Sequence, residues 1–159
     1  MAFRGIRGGI DTFMKNAKPF LIFLLIILFF SPSTVFAQVQ TRVRIIQASN
    51  VGATIDPSLR DLHDQLGSLF SFTSYRLMKD ESLSLSENKS VEIAAHQAVS
   101  LDINLIRKHR DSAEFRVKIR REGTEILNTQ LRLSPGRTVV IGGPKHGEGT
   151  IILAITARF

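Results

Sequence analysis

The sequence predicts a mainly β fold: an antiparallel β-sandwich of about eight or nine short strands with one amphipathic helix over about residues 57–69. Three observations predict it. Most of the chain after residue 38 is made of short runs in which apolar and polar residues alternate. One segment instead places leucines at helical spacing, and glycine- or proline-containing turns separate many of the runs. Closely spaced short strands with turns between them are typical of sandwiches and barrels.

The N-terminal segment has the composition of a secretory signal peptide. Four basic residues and one acid precede an unbroken apolar run over residues 20–30, and the sequence SPSTVFAQ follows. A basic region, a short apolar region and small residues before a cut define such peptides. Eleven helical residues span about 17 Å, against about 30 Å for a bilayer core. We therefore expect residues 1–37 to be a signal peptide cleaved after Ala37. The alternative is a retained anchor.

Residues 38–159 are then expected to form one domain, which is large enough for its own core. This part of the chain carries 17 basic and 13 acidic residues, a formal charge of +4. That charge is too weak to indicate nucleic acid as a partner. There is no cysteine in the chain, although the secretory route permits disulfides. An exported domain without them indicates the bacterial periplasm or the extracellular space.

The strands and the helix can be assigned in order along the chain. The helix is indicated by Leu59, Leu62, Leu66 and Leu69 at helical spacing, with Asp56 as its N-cap and a proline in the first turn. The predicted strands are RVRIIQA, FSFTSYRLM, SLSLS, VEIAA, AVSLDINLI, AEFRVKIRR, TEILNTQLRL, RTVVIGG and GTIILAITA.

The hairpin between AEFRVKIRR and TEILNTQLRL can be predicted in register. Inward residues have odd numbers in both strands, and antiparallel partners share a face, so the loop must have an odd length. We expect a three-residue loop over residues 122–124. Phe115 then lies opposite Leu131, Ile119 opposite Leu127, and Arg121 opposite Glu125.

The C-terminal segment VVIGGPKHGEGTIILAITARF raises the question of a phosphate-binding loop. Such a loop follows a strand and leads into a helix whose N-terminus faces the anion. Here the residues after the loop alternate and are β-branched, so they predict a second strand. We expect a hairpin turn in which glycines supply positive φ.

A local resemblance to a family lies in the same region. The sequence SPGRTVVIGG is similar to a strand-turn segment of bacterial secretins, the outer-membrane channels of secretion and pilus systems. The resemblance covers residues 136–143 and stops at Pro144, where the secretin pattern has a leucine. It implies an association with the cell envelope and assigns no functional residue. The matching residues are Gly136, Thr138, Val139, Val140, Ile141, Gly142 and Gly143.

No catalytic, cofactor-binding or metal-ligating constellation can be predicted. The four histidines are scattered, without the paired spacing of a metal site. On the helix, Asp61, His63 and Asp64 are close in sequence but point to different sides, and we expect a solvated face there. There is no nucleophile elbow and no cysteine nucleophile.

The basic residues are the one functional lead. Arg116, Lys118 and Arg120 alternate with core positions, and Arg132 follows on the neighbouring strand. Together with the alternating pair Arg42 and Arg44, and with RKHRD over residues 107–111, they could form one cationic face that contacts an anionic surface or an acidic envelope protein. The alternative is a solvated sheet face on which the charges discourage edge pairing.

We therefore expect an exported, non-enzymatic binding or accessory module of the cell envelope, without a stable transmembrane span after cleavage. Its partner would be an envelope protein or an anionic surface, and no cofactor is expected. The first alternative is a small integral outer-membrane β-barrel, since the last strand alternates and ends in Phe159. The second is an enzyme with an unrecognised site.

Overall fold

The computed structural model describes residues 38–96 and 98–159, which form two antiparallel four-stranded sheets and two short helical segments. The predicted mainly β, sandwich-like fold class is confirmed. The predicted signal peptide, residues 1–37, lies outside the described residues. The strands are β1 (Val39–Ser49), β2 (Ser74–Leu85), β3 (Ser90–His96), β4 (Val99–Lys108), β5 (Ala113–Arg121), β6 (Thr124–Leu133), β7 (Thr138–His146) and β8 (Gly149–Arg158).

The two sheets differ in how their strands are ordered. Sheet A has the order β2-β1-β8-β7, and sheet B has the order β3-β4-β5-β6. Sheet B is therefore a simple meander of consecutive strands. Sheet A places the first and last strands of the domain side by side, with Gln40 paired to Arg158 and Ser49 paired to Gly149.

The main core lies between the two sheets. Alternating residues of β4 and β5, among them Leu101, Ile103, Phe115 and Val117, are fully buried there together with residues of β1 and β8 such as Ile155. This is the inward set that the two-residue periodicity predicts. Burial of apolar side chains at about 25 cal/mol per Å² is the main term that stabilises such a core.

A second core cluster lies on the opposite face of sheet A, under the helical segments. A 3₁₀ helix (Pro57–Leu62) runs directly into α1 (His63–Leu69). Asp56 caps the first segment by accepting a hydrogen bond from the Ser58 amide at 2.9 Å, as predicted. The buried residues of this cluster are Ile46, Ala48, Leu59, Leu62, Leu66, Tyr75, Ile152 and Ala154.

The predicted helix needs two corrections. Its first half has 3₁₀ rather than α geometry, and the last leucine of the predicted stripe, Leu69, is 55% exposed. Leu69 is the final helical residue, where the chain turns into the extended conformation of Phe70, and Phe70 packs against the cluster instead. Neither helical segment in the described part of the chain has the length and hydropathy of a membrane-spanning helix.

The predicted strands FSFTSYRLM and SLSLS belong to one strand, β2, which begins at Ser74 and not at Phe70, so the described residues form eight strands. Pairing with β1 jumps from Ile45↔Lys79 to Ile46↔Leu77, which leaves Met78 as an extra residue in β2. Such a bulge reverses which residues face outward along the strand. Because the alternation breaks there, the sequence pattern indicates two strands where the structure has one.

The β5–β6 hairpin confirms the core register and corrects the turn. Phe115 lies opposite Leu131 and Ile119 opposite Leu127, as predicted. The loop, however, has two residues, Glu122 and Gly123, with φ of 49° and 79°. Positive φ at both positions is the signature of a type I′ turn. The loop is one residue shorter than predicted, and β6 instead contains one unpaired residue, Ile126, as a bulge. Glu125 therefore pairs with Arg120 and not with Arg121.

The C-terminal glycine segment joins two strands, as predicted. Strand β7 continues through Gly143 and Pro144 by means of a bulge, and only Gly147 and Glu148 form the turn. Gly147 has φ of 57°, a conformation that favours glycine. The segment after the turn is strand β8. It is not the helix that a phosphate-binding loop requires.

Candidate binding site

The outer face of sheet A is divided into an apolar half and a polar half. The helical segments cover the apolar half, where β1 contributes Ile46 and Ala48. The polar half follows from the strand register. One row runs Ser82, Arg42, Thr156 and Thr138 across the four strands. The next row places Gln40 between Ser84 and Arg158.

This polar half forms the floor of a cleft of about 780 Å³ beside the 3₁₀ helix. Its side chains supply guanidinium, carboxylate, amide and hydroxyl groups, and no aromatic residue lines it. The lining residues are Gln40, Thr41, Arg42, Arg44, Asp61, Asp80, Ser82, Gly136, Thr138, Thr156 and Arg158.

Arg44 lies at the boundary between the two halves, buried under the 3₁₀ helix. Its two terminal nitrogens donate to the two carboxylate oxygens of Asp61 at 2.7 and 2.8 Å. This bidentate geometry is among the stronger types of hydrogen bond. The Arg44 guanidinium, through these bonds, lowers the pKa of Asp61 below its usual value. The Arg44 Nε is buried and has no hydrogen-bond partner among the described residues.

A second bidentate pair lies beside the first. The Arg42 Nε donates to one oxygen of Asp80 at 2.8 Å, and its terminal nitrogen donates to the other at 2.5 Å. This pair is partly open to solvent. Its hydrogen bonds lower the pKa of Asp80 and raise that of Arg42. The two pairs hold two guanidinium groups in fixed positions along one side of the cleft.

The rest of the cleft is uncharged except for Arg158. The hydroxyl oxygens of Thr138 and Thr156 lie 2.7 Å apart, and the Gln40 amide donates to the Ser84 hydroxyl. Arg158 is exposed and has no carboxylate within 4.0 Å among the residues that the structure describes. The cleft therefore offers one guanidinium without an acidic partner and two that are already positioned.

The predicted basic residues lie together on the outer face of sheet B. Arg116 and Arg132 are exposed, and Lys118 and Arg120 are partly exposed. Arg116 pairs across the strands with Gln130, and Lys118 with Asn128. The structure thus brings the four predicted contact residues onto one surface.

Carboxylates interleave with these basic residues. Lys118 lies 3.3 Å from a Glu125 oxygen, and Arg120 lies 4.0 Å from Asp102. Arg132 forms an ion pair with Glu114. Hydrogen bonds from Asn128 and Lys118 lower the pKa of Glu125. The sheet B face is therefore a surface of mixed charge. Because Lys118, Arg120 and Arg132 each lie beside a carboxylate, the predicted anion binding there would depend chiefly on Arg116.

The helix residues Asp61, His63 and Asp64 divide between two environments. His63 and Asp64 are exposed, as expected for a solvated face. Asp61 instead pairs with buried Arg44, a partner that the sequence pattern did not indicate. The alternation of Arg44 with Val43 and Ile45 correctly places its side chain away from the main core. What the alternation could not show is that the helix would cover that side.

A histidine pair was also not predicted. The rings of His96 in β3 and His146 in β7 have centroids 4.3 Å apart in an edge-to-face arrangement. Burial lowers the pKa of His146, and the charges of His96 and Arg121 add to this effect. The two residues are 50 positions apart in the sequence, so only the packing of the two sheets brings them together.

These features define an eight-stranded antiparallel β-sandwich with one helix-covered sheet and a polar cleft beside the helix. No protein-family model matches the chain, and no curated protein matches it. Among solved structures, the cryo-EM structure of the T2SS secretin XcpQ from Pseudomonas aeruginosa is similar, with a TM-score of 0.45 and 12% identity over 88% of this chain and 63% of that chain. The chain thus spans less than two thirds of that secretin chain, which belongs to the family that residues 136–143 resemble.

Proposed function

We propose that the domain is an exported, non-enzymatic binding or accessory module of the cell envelope, and that it binds an anionic group in the polar cleft of sheet A. The observation that supports the proposal best is Arg158, a guanidinium with no acidic partner among the described residues, on the same concave surface as the carboxylate-paired Arg42 and Arg44. Concave sites with a few convergent polar groups are the usual places where proteins bind ligands.

The geometry of the cleft favours a carboxylate or a phosphate as the bound group. Arg158 supplies a guanidinium that can donate two parallel hydrogen bonds, the arrangement that matches both anions. Arg42 is held by Asp80, so its position needs little reorganisation when a ligand arrives. The hydroxyls of Ser82, Thr138 and Thr156 can bind further oxygens of the same ligand.

The location in the envelope is supported by the leader sequence. Intact-mass measurement of protein recovered from cell envelopes tests it, and we expect a chain that begins at Gln38. A mass that still includes the apolar run over residues 20–30 would contradict cleavage and favour an anchored domain.

Binding can be tested with acidic liposomes and with heparin, which present phosphate in the first case and sulfate and carboxylate in the second. A charge-assisted contact is worth about 1.5–3 kcal/mol, so Arg158→Gln should weaken retention on the order of ten- to a hundredfold. Retention by the parent protein should fall with salt, because exposed charges are screened over about 8 Å at physiological ionic strength.

The matched control is the triple variant Arg116→Gln, Lys118→Gln, Arg120→Gln on the outer face of sheet B. If the cleft is the binding site, this variant retains most of the affinity despite losing three charges. If the triple variant loses binding and Arg158→Gln keeps it, the anionic surface binds to sheet B and the cleft assignment is wrong. Absence of any retention by the parent protein at low salt would contradict both sites.

A further inference from the structure

The four sheet edges of the domain are β2 and β7 in sheet A, and β3 and β6 in sheet B. An edge strand presents unpaired backbone donors and acceptors, and it pairs readily with another chain unless it is protected. Charges, prolines, bulges and short length are the usual forms of protection. All four described edges carry some of them, but on one edge they are confined to the ends of the strand.

Edge β7 contains Pro144 and a bulge between Gly142 and Lys145. Edge β2 carries three consecutive charged residues, 79–81, and the bulge at Met78. Edge β3 has only seven residues and a bulge near its end, and the Lys79 ammonium donates to its Ala94 carbonyl at 3.1 Å. Each of these edges is thus interrupted, charged or partly covered.

Edge β6 carries these features only near its ends, as Glu125, the bulge at Ile126 and Arg132. It is ten residues long, and the six residues 126–131, ILNTQL, include no charge, no glycine and no proline. Ile126 in this segment is 43% exposed, and it is one of only three large apolar residues that are exposed among the described residues. Beyond the bulge at Ile126 the strand pairs regularly with β5. Segments of this length and composition have a high tendency to pair with other strands.

We propose that β6 pairs with β6 of a second copy of this chain, antiparallel and about a two-fold axis at Thr129. Antiparallel partners must share a face, so only every second register is allowed. In the register centred on Thr129, inward Leu127 lies opposite Leu131 of the second copy. Outward Asn128 lies opposite Gln130, and Thr129 lies opposite itself.

This register is complementary at each of these positions. It pairs leucine with leucine, amide with amide and hydroxyl with hydroxyl, and pairs of these kinds stabilise adjacent strands. The result is an isologous dimer in which the two copies of sheet B form one continuous eight-stranded sheet. The polar cleft lies on the outer face of sheet A, so the dimer presents two copies of it.

The main test is the variant Asn128→Glu with Gln130→Glu. Within one chain the new carboxylates face Lys118 and Arg116 across the β5–β6 pair, which offsets the lost Asn128 hydrogen bond to Glu125. We therefore expect the variant to fold, and its circular dichroism spectrum checks this. In the dimer the new carboxylates lie opposite each other and repel. Sedimentation velocity over a range of concentrations should show a dimer for the parent and a monomer for the variant. A monomeric parent, or a variant that still dimerises, would overturn the proposal.

The control variant Val51→Glu with Ala94→Glu adds the same charge at two exposed positions away from β6, and it should remain a dimer. If this control variant were monomeric, added charge in general would explain the effect, and β6 would be rejected as the dimer contact.

A cysteine scan tests the register independently, because the chain has no cysteine of its own. Directly opposite residues in antiparallel strands have Cα atoms about 4.5–5.5 Å apart, which is within the range of disulfides. Thr129→Cys should therefore cross-link to itself under mild oxidation, and Gln130→Cys should do so much less. The reverse preference would contradict an axis at Thr129.

Discussion

The guanidinium of Arg44 is only 2% exposed, and it binds both oxygens of Asp61, whose side chain is 57% exposed. The pair thus joins a buried cation of sheet A to a solvent-facing residue of the 3₁₀ helix. It lies where the apolar cluster under the helix ends and the polar cleft begins. We therefore expect it both to hold the helix on the sheet and to shape one wall of the cleft.

Asp61→Ala should leave a buried guanidinium without its carboxylate. We expect a loss of about 1–3 kcal/mol in the free energy of unfolding, the cost of an unsatisfied buried group. This loss should be smaller than the loss from breaking a fully buried ion pair, because water reaches Asp61. Chemical denaturation measures the loss. The matched control is Asp80→Ala, which breaks a partly exposed pair and should cost no more than about 1 kcal/mol. Equal losses for the two variants would show that burial of Arg44 does not matter.

Leu66→Ala should destabilise the domain by about 2–5 kcal/mol, the range for emptying a packed leucine site. Leu66 is 1% exposed and belongs to the cluster between α1 and sheet A. In the same helix, Leu69→Ala removes an exposed side chain and should change stability by no more than about 0.5 kcal/mol. Thermal melting of the two variants gives the comparison. A Leu66→Ala melting temperature equal to that of the parent would mean that the helix is not docked on the sheet.

Two glycine substitutions should have effects of opposite sign. A Cβ atom at Gly149 would lie 2.2 Å from the Ala48 carbonyl oxygen, so Gly149→Ala must push β1 and β8 apart and should cost at least about 1–3 kcal/mol. A Cβ at Gly67 in α1 meets nothing within 4 Å, so Gly67→Ala should stabilise the domain by about 0.5–1 kcal/mol. Urea unfolding midpoints measure both. A Gly149→Ala midpoint equal to that of the parent would contradict the close pairing of β1 and β8.

The His96–His146 pair should make stability depend on pH. Burial lowers the pKa of His146 in the folded domain. Below the ordinary histidine pKa of about 6.5, the unfolded chain therefore binds more protons than the folded domain. Stability should therefore fall as the pH drops from about 6.5 toward the lowered pKa of the folded state. Urea midpoints at about pH 7.5 and 5.5 would reveal the difference, and His146→Gln should reduce it. An unchanged difference in that variant would assign the effect to other groups.

The inward residues of the sandwich were predictable because they depend on local periodicity. Phe115 and Leu131 face each other as the parity of their positions requires, and Leu59, Leu62 and Leu66 are buried at the helical spacing of the sequence. Bulges were not predictable. The extra residues Met78 and Ile126 depend on how two strands align, and nothing in one strand alone reveals that alignment.

The amino-acid pattern alone predicts the strand and helix periods, the cap at Asp56 and the absence of cysteine chemistry, since these depend on near neighbours or on composition. The packing of the strands and helical segments sets which charges meet. It paired Arg44 with Asp61 and placed His96 against His146, and it set carboxylates among the predicted basic residues of sheet B. It also formed the polar cleft by placing the first and last strands side by side. The physical reason is that electrostatic interactions depend on distances in space, and sheet order brings together residues that are far apart in the chain.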